Sequence, residues 1–246
     1  MATNSAPTYD TVSPTTWKFG NVNATAKGLR KVEIFQEDGI SKPIFQLWKP
    51  SDPYLRVPYG ISEPYNSSGQ PDQGAQGKSP MSSSFPQSSI KTMPIELKQS
   101  HLDFAQAVDG AILKLITTHQ AKILDMTPDD ELLPLAMLRR QYCGFVKLSK
   151  KPEYAPTARV KVNVGTSELA TRWARKEGRG TIVSCPSTSV CRGCTVIPIL
   201  EISGLWLSST GGFGVTVQAT SVLIMSSGPP PVPLFSGLEY AMDVDE

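Results

Sequence analysis

The chain of 246 residues combines 39% hydrophobic with 19% charged residues and holds 21 prolines and 19 glycines, with a net charge of only +2. This balance is typical of a globular β-rich protein with irregular connections, and it excludes a coiled coil and a wholly disordered chain. No apolar run approaches the ~20 residues that span a bilayer, and the first residues lack the apolar stretch of a signal peptide. We therefore expect an intracellular protein with no membrane partner.

The N-terminal region is polar. Residues 1–28 are rich in Thr, Asn and Ser around the isolated aromatic residues Trp17 and Phe19. This composition predicts a flexible N-terminal arm that joins the fold late. The following residues, 29–225, are long enough to bury a sizeable core and predict one large domain.

Apolar and polar side chains alternate in two short segments at the start of this domain, 31–36 (KVEIFQ) and 43–48 (PIFQLW). The Glu-Asp-Gly turn at 37–39 between them is a hairpin signature, and a third short strand is predicted over 54–58. The next segment, 66–89, is almost entirely Ser, Gly, Gln and Pro. It cannot bury enough apolar surface to offset chain entropy, which predicts a disordered or mobile insertion loop.

A helical period replaces this alternation over residues 100–124. His119 lies on the apolar stripe and is expected in the core, whereas His101 beside the N-cap is expected at the surface. A second helix start is indicated at 127–130, but Pro134 limits it to a turn or two. The apolar stripe of the long helix consists of Leu102, Ala105, Val108, Ile112, Leu115, Ile116, His119 and Ile123.

β-Branched residues dominate most of the remaining chain and predict strands over 144–148, 157–164, 181–185, 196–208 and 213–225. A Gly-rich turn at 209–212 joins the last two strands into a hairpin. Between residues 213 and 220 apolar and polar side chains alternate strictly. One face of this final strand is therefore expected in the core.

The charges are distributed unevenly. Residues 1–138 carry a net charge of −2, whereas residues 139–179 hold eleven basic residues against three acidic ones, a net charge of +8. No basic residue follows Arg192, and a Pro-rich linker leads to an acidic tail within residues 226–246. The acidic residues of this tail are Glu239, Asp243, Asp245 and Glu246.

An enzymatic site is not supported by the sequence. Both histidines lie on the predicted helix, so no nucleophile and base are visible as a pair. The chain also lacks a P-loop, a dinucleotide-binding glycine fingerprint and an HExxH motif. We predict neither a catalytic residue nor a cofactor.

Three of the four cysteines, Cys185, Cys191 and Cys194, form a C-x5-C-x2-C cluster. Cys-x2-Cys is the usual half of a structural zinc site, but a tetrahedral site needs further ligands, and Cys143 lies far upstream. Two interpretations stay open: a weak candidate metal site, and reduced, partly buried thiols. The second is favoured.

Basic residues interleaved with aromatic residues are the main functional signal. A groove for a single nucleic-acid strand needs cations along the phosphates and flat rings on which bases stack, the latter contributing about 1–3 kcal/mol per base. The alternative is that Lys and Arg cover the solvent side of strands while the rings fill the core. The net charge of +8 beside an acidic tail favours binding, with the tail occupying the groove in cis. The predicted interface consists of Tyr142, Phe145, Lys147, Lys150, Lys151, Tyr154, Arg159, Lys161, Arg172, Trp173 and Arg175.

Three segments resemble single-stranded DNA-binding proteins of T7-like phages and of nucleocytoplasmic large DNA viruses. They are 54–62 (YLRVPYGIS), 142–164 (YCGFVKLSKKPEYAPTARVKVNV) and 200–225 (LEISGLWLSSTGGFGVTVQATSVLIM), about a quarter of the chain. The resemblance implies a mainly β fold, namely an OB-like antiparallel β-barrel with one inserted α-helix and long loops. It also implies sequence-independent binding of single-stranded DNA in replication, recombination or repair, with the acidic tail contacting replication proteins.

The sequence therefore predicts a non-enzymatic protein whose partner is single-stranded DNA. The alternative is a structural protein, such as a minor capsid or scaffold component of a large DNA virus, which predicts no salt-sensitive affinity for DNA. If the protein is viral, it is expected in the host nucleus or at a cytoplasmic replication site. A homo-oligomer is left open.

Removing residues 239–246 is expected to tighten binding to oligo-dT, because the acidic tail then no longer competes for the same cations. Fluorescence anisotropy at two salt concentrations measures the effect. Unchanged affinity after the deletion would contradict competition in cis, even if binding itself is observed.

Overall fold

The structure is a computed structural model that describes residues 6–24, 30–62, 89–178, 180–208 and 211–226. The predicted insertion loop at 66–89 lies outside these residues apart from Ser89, and so does the predicted linker and tail at 226–246 apart from Ser226.

Twelve strands and three α-helices make up the described fold. The helices are α1 (Gln99–Thr118), α2 (Gln120–Leu124) and α3 (Leu135–Gln141). The strands are β1 (Lys18–Ala24), β2 (Arg30–Phe35), β3 (Ile44–Gln46), β4 (Leu55–Arg56), β5 (Ile90–Glu96), β6 (Tyr142–Cys143), β7 (Val146–Lys147), β8 (Thr157–Asn163), β9 (Arg172–Glu177), β10 (Thr181–Ser184), β11 (Thr195–Leu207) and β12 (Phe213–Ser226).

The long antiparallel hairpin of β11 and β12 forms the centre of the sheet. Three short strands, β2, β3 and β4, follow one another along the outer edge of β11, all antiparallel to it. In the same way β6, β8 and β9 follow one another along β12, all parallel to it. The sheet curls into a half-barrel, which confirms the expected mainly β fold with one long helix. It is not the wholly antiparallel barrel that was predicted, because β6, β8 and β9 pair with β12 in parallel.

The residues between 55 and 62 bring the two ends of this curled sheet together. Leu55 and Arg56 pair with β11, and Ser62 forms a two-hydrogen-bond bridge with Thr92 of β5. An ion pair of 3.1 Å between Arg56 and Glu96 spans the same gap. A single stretch of chain thus links the β11 side of the barrel to the β5 side.

The predicted hairpin of 31–36 and 43–48 is wrong, although both segments are strands. After β2 the chain leaves the sheet in a turn, in which Gln36 N–H donates to the carbonyl of Ser41, and β3 then continues in the same direction. The free edge of the long strand β11 offers partners to both segments. Pairing with that edge satisfies the backbone groups of both segments without a chain reversal.

The described N-terminal residues are packed into the domain, in contrast to the predicted flexible arm over 1–28. β1 pairs with β2, and the backbone of Gln46 donates to the carbonyl of Pro7. Tyr9 and Trp17 are each only 3% exposed. Burial of these two large rings accounts for the attachment of the segment, since each ring removes a large apolar surface from water.

The helical region also differs from the prediction. The predicted helix over 100–124 is divided into α1 and α2 at His119. The helix start predicted at 127–130 is a turn, in which Asp130 accepts a hydrogen bond from Thr127 N–H, and α3 begins only after Pro134. An aspartate that caps its own turn competes with helix formation at this point.

Asp109 of α1 connects the helix to the sheet. Its carboxylate accepts hydrogen bonds from the hydroxyl of Tyr142 and from the backbone N–H groups of Phe145 and Val146, at 2.8, 2.7 and 3.2 Å. Burial raises the pKa of Asp109 above its ordinary value, while these three bonds act in the opposite direction. One side chain therefore satisfies three donors, which belong to β6, to β7 and to the residues that connect them.

The substitution Asp109→Ala is expected to lower the free energy of unfolding by about 2–5 kcal/mol, because it leaves partly buried donors without an acceptor. Asp103→Ala removes an exposed carboxylate of the same helix and is expected to change it by less than about 0.5 kcal/mol. Urea denaturation measures both. Equal effects of the two substitutions would show that the Asp109 contacts contribute little.

The two histidines are placed opposite to expectation. His101 is fully buried, whereas His119 is exposed. His101 Nε2 lies 3.2 Å from Asp52 Oδ2, yet neither ring nitrogen has a well-formed hydrogen bond within the described part of the chain. Burial lowers the pKa of His101 below 6.5, and Asp52 partly offsets this effect. The ring is therefore neutral in the folded protein near neutral pH.

Because the unfolded chain binds a proton at His101 more readily than the folded protein, stability is expected to fall as the pH drops below about 6.5 and to level off below the lower folded pKa. Urea denaturation between pH 7 and 5 measures this slope. His101→Phe should reduce it, whereas His119→Gln should keep it. If stability depends on pH as steeply in the His101→Phe variant as in the wild type, His101 is not the source of the pH dependence.

Among the helices of the described residues, none combines the length and apolar character needed to span a membrane.

Candidate nucleic-acid interface

The sheet has two chemically different faces. Along β8 buried residues alternate with exposed ones, and along β12 the buried Val217 and Ala219 alternate with partly exposed Gln218 and Thr220. One face forms the hydrophobic core, and we call the opposite face the outer face. The alternation predicted between residues 213 and 220 is confirmed.

Four cations gather on the outer face. Arg159 and Lys161 are two residues apart on β8 and therefore point to the same side. Lys147 pairs with Thr157, the next outward position of β8, and Lys31 extends from β2 towards the same region of the sheet. We refer to Lys31, Lys147, Arg159 and Lys161 as the basic track.

The pKa values of two track lysines report crowding of positive charge. Desolvation by the surrounding protein lowers the pKa of Lys161, and the charge of Lys31 lowers it further. Desolvation likewise lowers the pKa of Lys147, with additional effects of Arg159 and Lys150. These groups therefore lie near one another, and a bound anion would relieve their repulsion.

Acidic residues of the outer face do not neutralise this track. Glu33 and Glu201 both lie near Lys42, with N–O distances of 3.7 and 3.9 Å. Between Glu201 and Lys161 stands Gln218, which pairs with both residues across the sheet. Within the described residues no member of the basic track forms an ion pair.

Trp206 is the aromatic residue next to the track. It pairs with Lys31 across β2 and β11, and it is partly exposed. Its ring lies over Gly214 of β12, where a Cβ atom would come within 2.8 Å of the indole. Glycine at this position therefore leaves room for the indole next to β12.

Sequence reasoning missed Trp206 and Lys31. For Trp206 the available signal was the alternation of apolar side chains along the strand. Its neighbours Leu205 and Leu207 are both buried, so the side chain between them points to the other face of the sheet. Lys31 lies outside the basic stretch 139–179, and only the pairing of β2 with β11 brings it to the other cations.

Two of the four predicted rings, those of Tyr142 and Phe145, pack inside the protein. Phe145 is 1% exposed and belongs to the core. Tyr142 donates its hydroxyl to Asp109 and packs against Phe213 with a centroid distance of 5.8 Å. Both rings complete the apolar layer between α1 and the sheet, so we leave them out of the interface.

The predicted residues of β9 divide between the two faces. Arg172 is exposed opposite Ser221, on the outer face. Trp173 packs against the hydrophobic core, and Arg175 forms an ion pair with Glu177. Because neighbouring residues of a strand point to opposite sides, only Arg172 of these three faces the same way as the basic track.

The connection between β7 and β8 carries the remaining predicted residues. Lys150, Lys151 and Tyr154 are all exposed, with Tyr154 at 54%. The effect of Lys150 on the pKa of Lys147 shows that this loop approaches one end of the track. Tyr154 is thus the one ring of the predicted set that is open to solvent.

The candidate metal cluster of Cys185, Cys191 and Cys194 is not assembled. Cys194 is buried, Cys185 is partly buried and Cys191 is exposed. No group of three or more metal-binding side chains occurs among the described residues. Because Cys185 follows β10 whereas Cys191 and Cys194 precede β11, Cys185 does not join the other two cysteines in a group of three.

The sequence matches no protein-family model, and comparison with curated proteins gives no match. Three similar solved structures are forms of the single-stranded DNA-binding protein from bacteriophage Enc34. The form in complex with ssDNA is 14% identical, with 87% of this chain and 96% of that chain covered and a TM-score of 0.40. The C-terminal truncation is 12% identical, with 87% and 94% covered and a TM-score of 0.39.

The third form is described without DNA or truncation and is 11% identical, with 89% of this chain and 92% of that chain covered and a TM-score of 0.39. At this identity and TM-score the likeness carries no conclusion about function, which has to come from the geometry of the chain itself.

Proposed function

We propose that this protein binds single-stranded DNA without sequence specificity, through the basic track and the ring of Trp206. One observation carries the proposal. Four cations, which form no ion pair with any residue that the structure describes, lie beside one partly exposed indole on the outer face of the sheet. The cations come from β2, β7 and β8, and therefore only the folded chain presents them together.

Each component of this site matches one component of a single strand. Cations that follow one another along the sheet attract consecutive phosphates and release the counterions bound to them. A flat aromatic ring can stack on any base, because every base has a π-face. The bases of a duplex are already stacked and paired, so this contact requires a single strand. Proteins read a sequence through hydrogen bonds to the edges of the bases. Cations that contact phosphates and a ring that stacks on bases make no such bonds, so we expect binding that does not depend on sequence.

The strand would extend from Trp206 and Lys31 over Lys161 and Arg159 to Lys147. Beyond Lys147 the exposed residues Lys150, Lys151 and Tyr154 continue the same combination of cations and a ring.

In the other direction along β12, Arg172 offers a further cation on the outer face. The strand thus crosses the sheet rather than following one edge.

We assign the protein a role in covering single strands during replication, recombination or repair, and no reaction. The acidic residues Glu239, Asp243, Asp245 and Glu246 would then contact replication proteins or compete for the track. This part of the proposal rests on the sequence, since these residues lie outside the described part of the structure.

Lys161→Ala is expected to weaken oligo-dT binding about fivefold at 0.1 M salt and to reduce the slope of log K against log salt by about 0.7, because one phosphate contact is lost. Arg159→Ala should act similarly. Fluorescence anisotropy over a series of salt concentrations measures both quantities.

Arg175→Ala is the matched control, since Arg175 belongs to the same basic stretch of sequence but is paired with Glu177 and faces away from the track. It should leave the slope unchanged. Affinity that does not depend on salt, or equal losses for Lys161→Ala and Arg175→Ala, would rule out the track and favour a structural role.

Trp206→Ala is expected to weaken binding by about 5- to 150-fold, the equivalent of about 1–3 kcal/mol for one stacked base. Trp206→Phe should retain part of the affinity and lose the quenching of tryptophan fluorescence that DNA causes. Trp48→Phe removes a tryptophan that stacks on Tyr54 away from the track and should keep the quenching. Quenching that persists in Trp206→Phe would place the base elsewhere.

A further inference from the structure

A tight turn immediately before β11 brings two cysteines together. Cys194 N–H donates to the carbonyl of Cys191 at 3.3 Å, and Gly193 has a φ of +80°. This is the geometry of a type II turn, with Cys191 and Cys194 at its first and last positions, whose Cα atoms lie within 7 Å. A disulfide needs a Cα separation of about 4.4–6.8 Å, and the turn brings the two Cα atoms close to that range.

The two thiols of this turn differ in their surroundings. Cys191 is exposed and open to reagents, whereas Cys194 is fully buried. Burial raises the pKa of Cys194 to about 11, and the neighbouring thiol of Cys191 contributes through its charge and a side-chain hydrogen bond. The second effect requires the two sulfur atoms to be close to each other.

The turn is held rigidly by the segment that joins the two sides of the barrel. Gly193 N–H donates to the carbonyl of Val57 at 2.7 Å, and Val57 N–H donates to the carbonyl of Cys194 at 2.9 Å. These two bonds fix the turn from both sides. The cysteines are therefore positioned for one another before any reaction takes place.

We propose that Cys191 and Cys194 form a reversible dithiol–disulfide site that exchanges with small-molecule disulfides. Cys191 is the attacking cysteine, because it is the exposed one, and Cys194 is the resolving cysteine. The site is independent of DNA binding, since the turn lies at the β4 end of β11, whereas Trp206 lies at the opposite end of that strand.

The exchange proceeds in two balanced steps. The thiolate of Cys191 attacks one sulfur of the small disulfide, which breaks its S–S bond and releases one small thiol. The thiolate of Cys194 then attacks the sulfur of Cys191, which forms the intramolecular bond and releases the second small thiol. The protein loses two protons and two electrons, and the small disulfide takes them up and becomes two thiols.

The full chain should be equilibrated with defined ratios of reduced and oxidised glutathione, alkylated, and digested with trypsin after denaturation. Trypsin cleaves after Arg192, between the two cysteines. A disulfide therefore leaves the peptide 180–192 joined to the peptide 193–246. The equilibrium constant for this link should be at least about tenfold larger in the native protein than in concentrated guanidinium, because the folded turn holds the cysteines in position.

Cys185 lies in the same tryptic peptide as Cys191 and needs a control. The link should persist in Cys185→Ser and in Cys143→Ser, and it should disappear in Cys191→Ser, whose substitution at an exposed position leaves the fold intact. Anisotropy with oligo-dT should be the same for the oxidised and reduced protein.

Three outcomes would overturn the proposal. Cys191 is recovered only as a glutathione adduct or an alkylated thiol, the equilibrium constant is equal in guanidinium, or the link is lost in Cys185→Ser.

Discussion

The hydrogen-bonded ladder between β11 and β12 is the constraint on which the rest of the structure depends. It runs from the pair Thr195 and Ser226 to the pair Leu207 and Phe213. β11 and β12 are longer than the other strands of the described residues. The outer edge of each one therefore has room for three shorter strands. Because strands pair with β11 and β12 rather than with their neighbours in sequence, residues far apart in the chain become neighbours in the sheet. The curled shape and the outer face both follow from this arrangement.

The ladder also decides which side chains meet solvent. Burial of Leu200, Val217 and Val160 on one side fixes the direction of every residue between them. The cations of β8 consequently point outwards, where Lys31 joins them from the far side of the hairpin. The nearby acidic residues already contact Lys42. Positive charge thus remains in excess on one surface, beside an indole that rests on a glycine, and this surface suits a polyanion with flat bases.

Several elements follow directly from local patterns. Local patterns encode the strand β8, the alternation in β12, the long helix α1 and the hairpin of the last two strands, and the structure confirms them. The errors share a different cause. The supposed hairpin before residue 48, the free N-terminal arm and the exposed His101 were inferred from local composition, whereas β11, the core around Trp17 and the carboxylate of Asp52 determine their environment. None of these partners is visible in the local sequence.

The amino-acid sequence by itself determined that this protein is mainly β, that it carries one long helix, and that its positive charge is concentrated between residues 139 and 179. Only the tertiary structure decided which of those charges act together, because strand pairing sends Arg172 and Arg175 to different partners and brings Lys31 to Lys161. It likewise buried Phe145 and turned Trp206 outwards. The physical reason is that the direction of a side chain is set by the register of its strand, and register depends on partners distant in sequence.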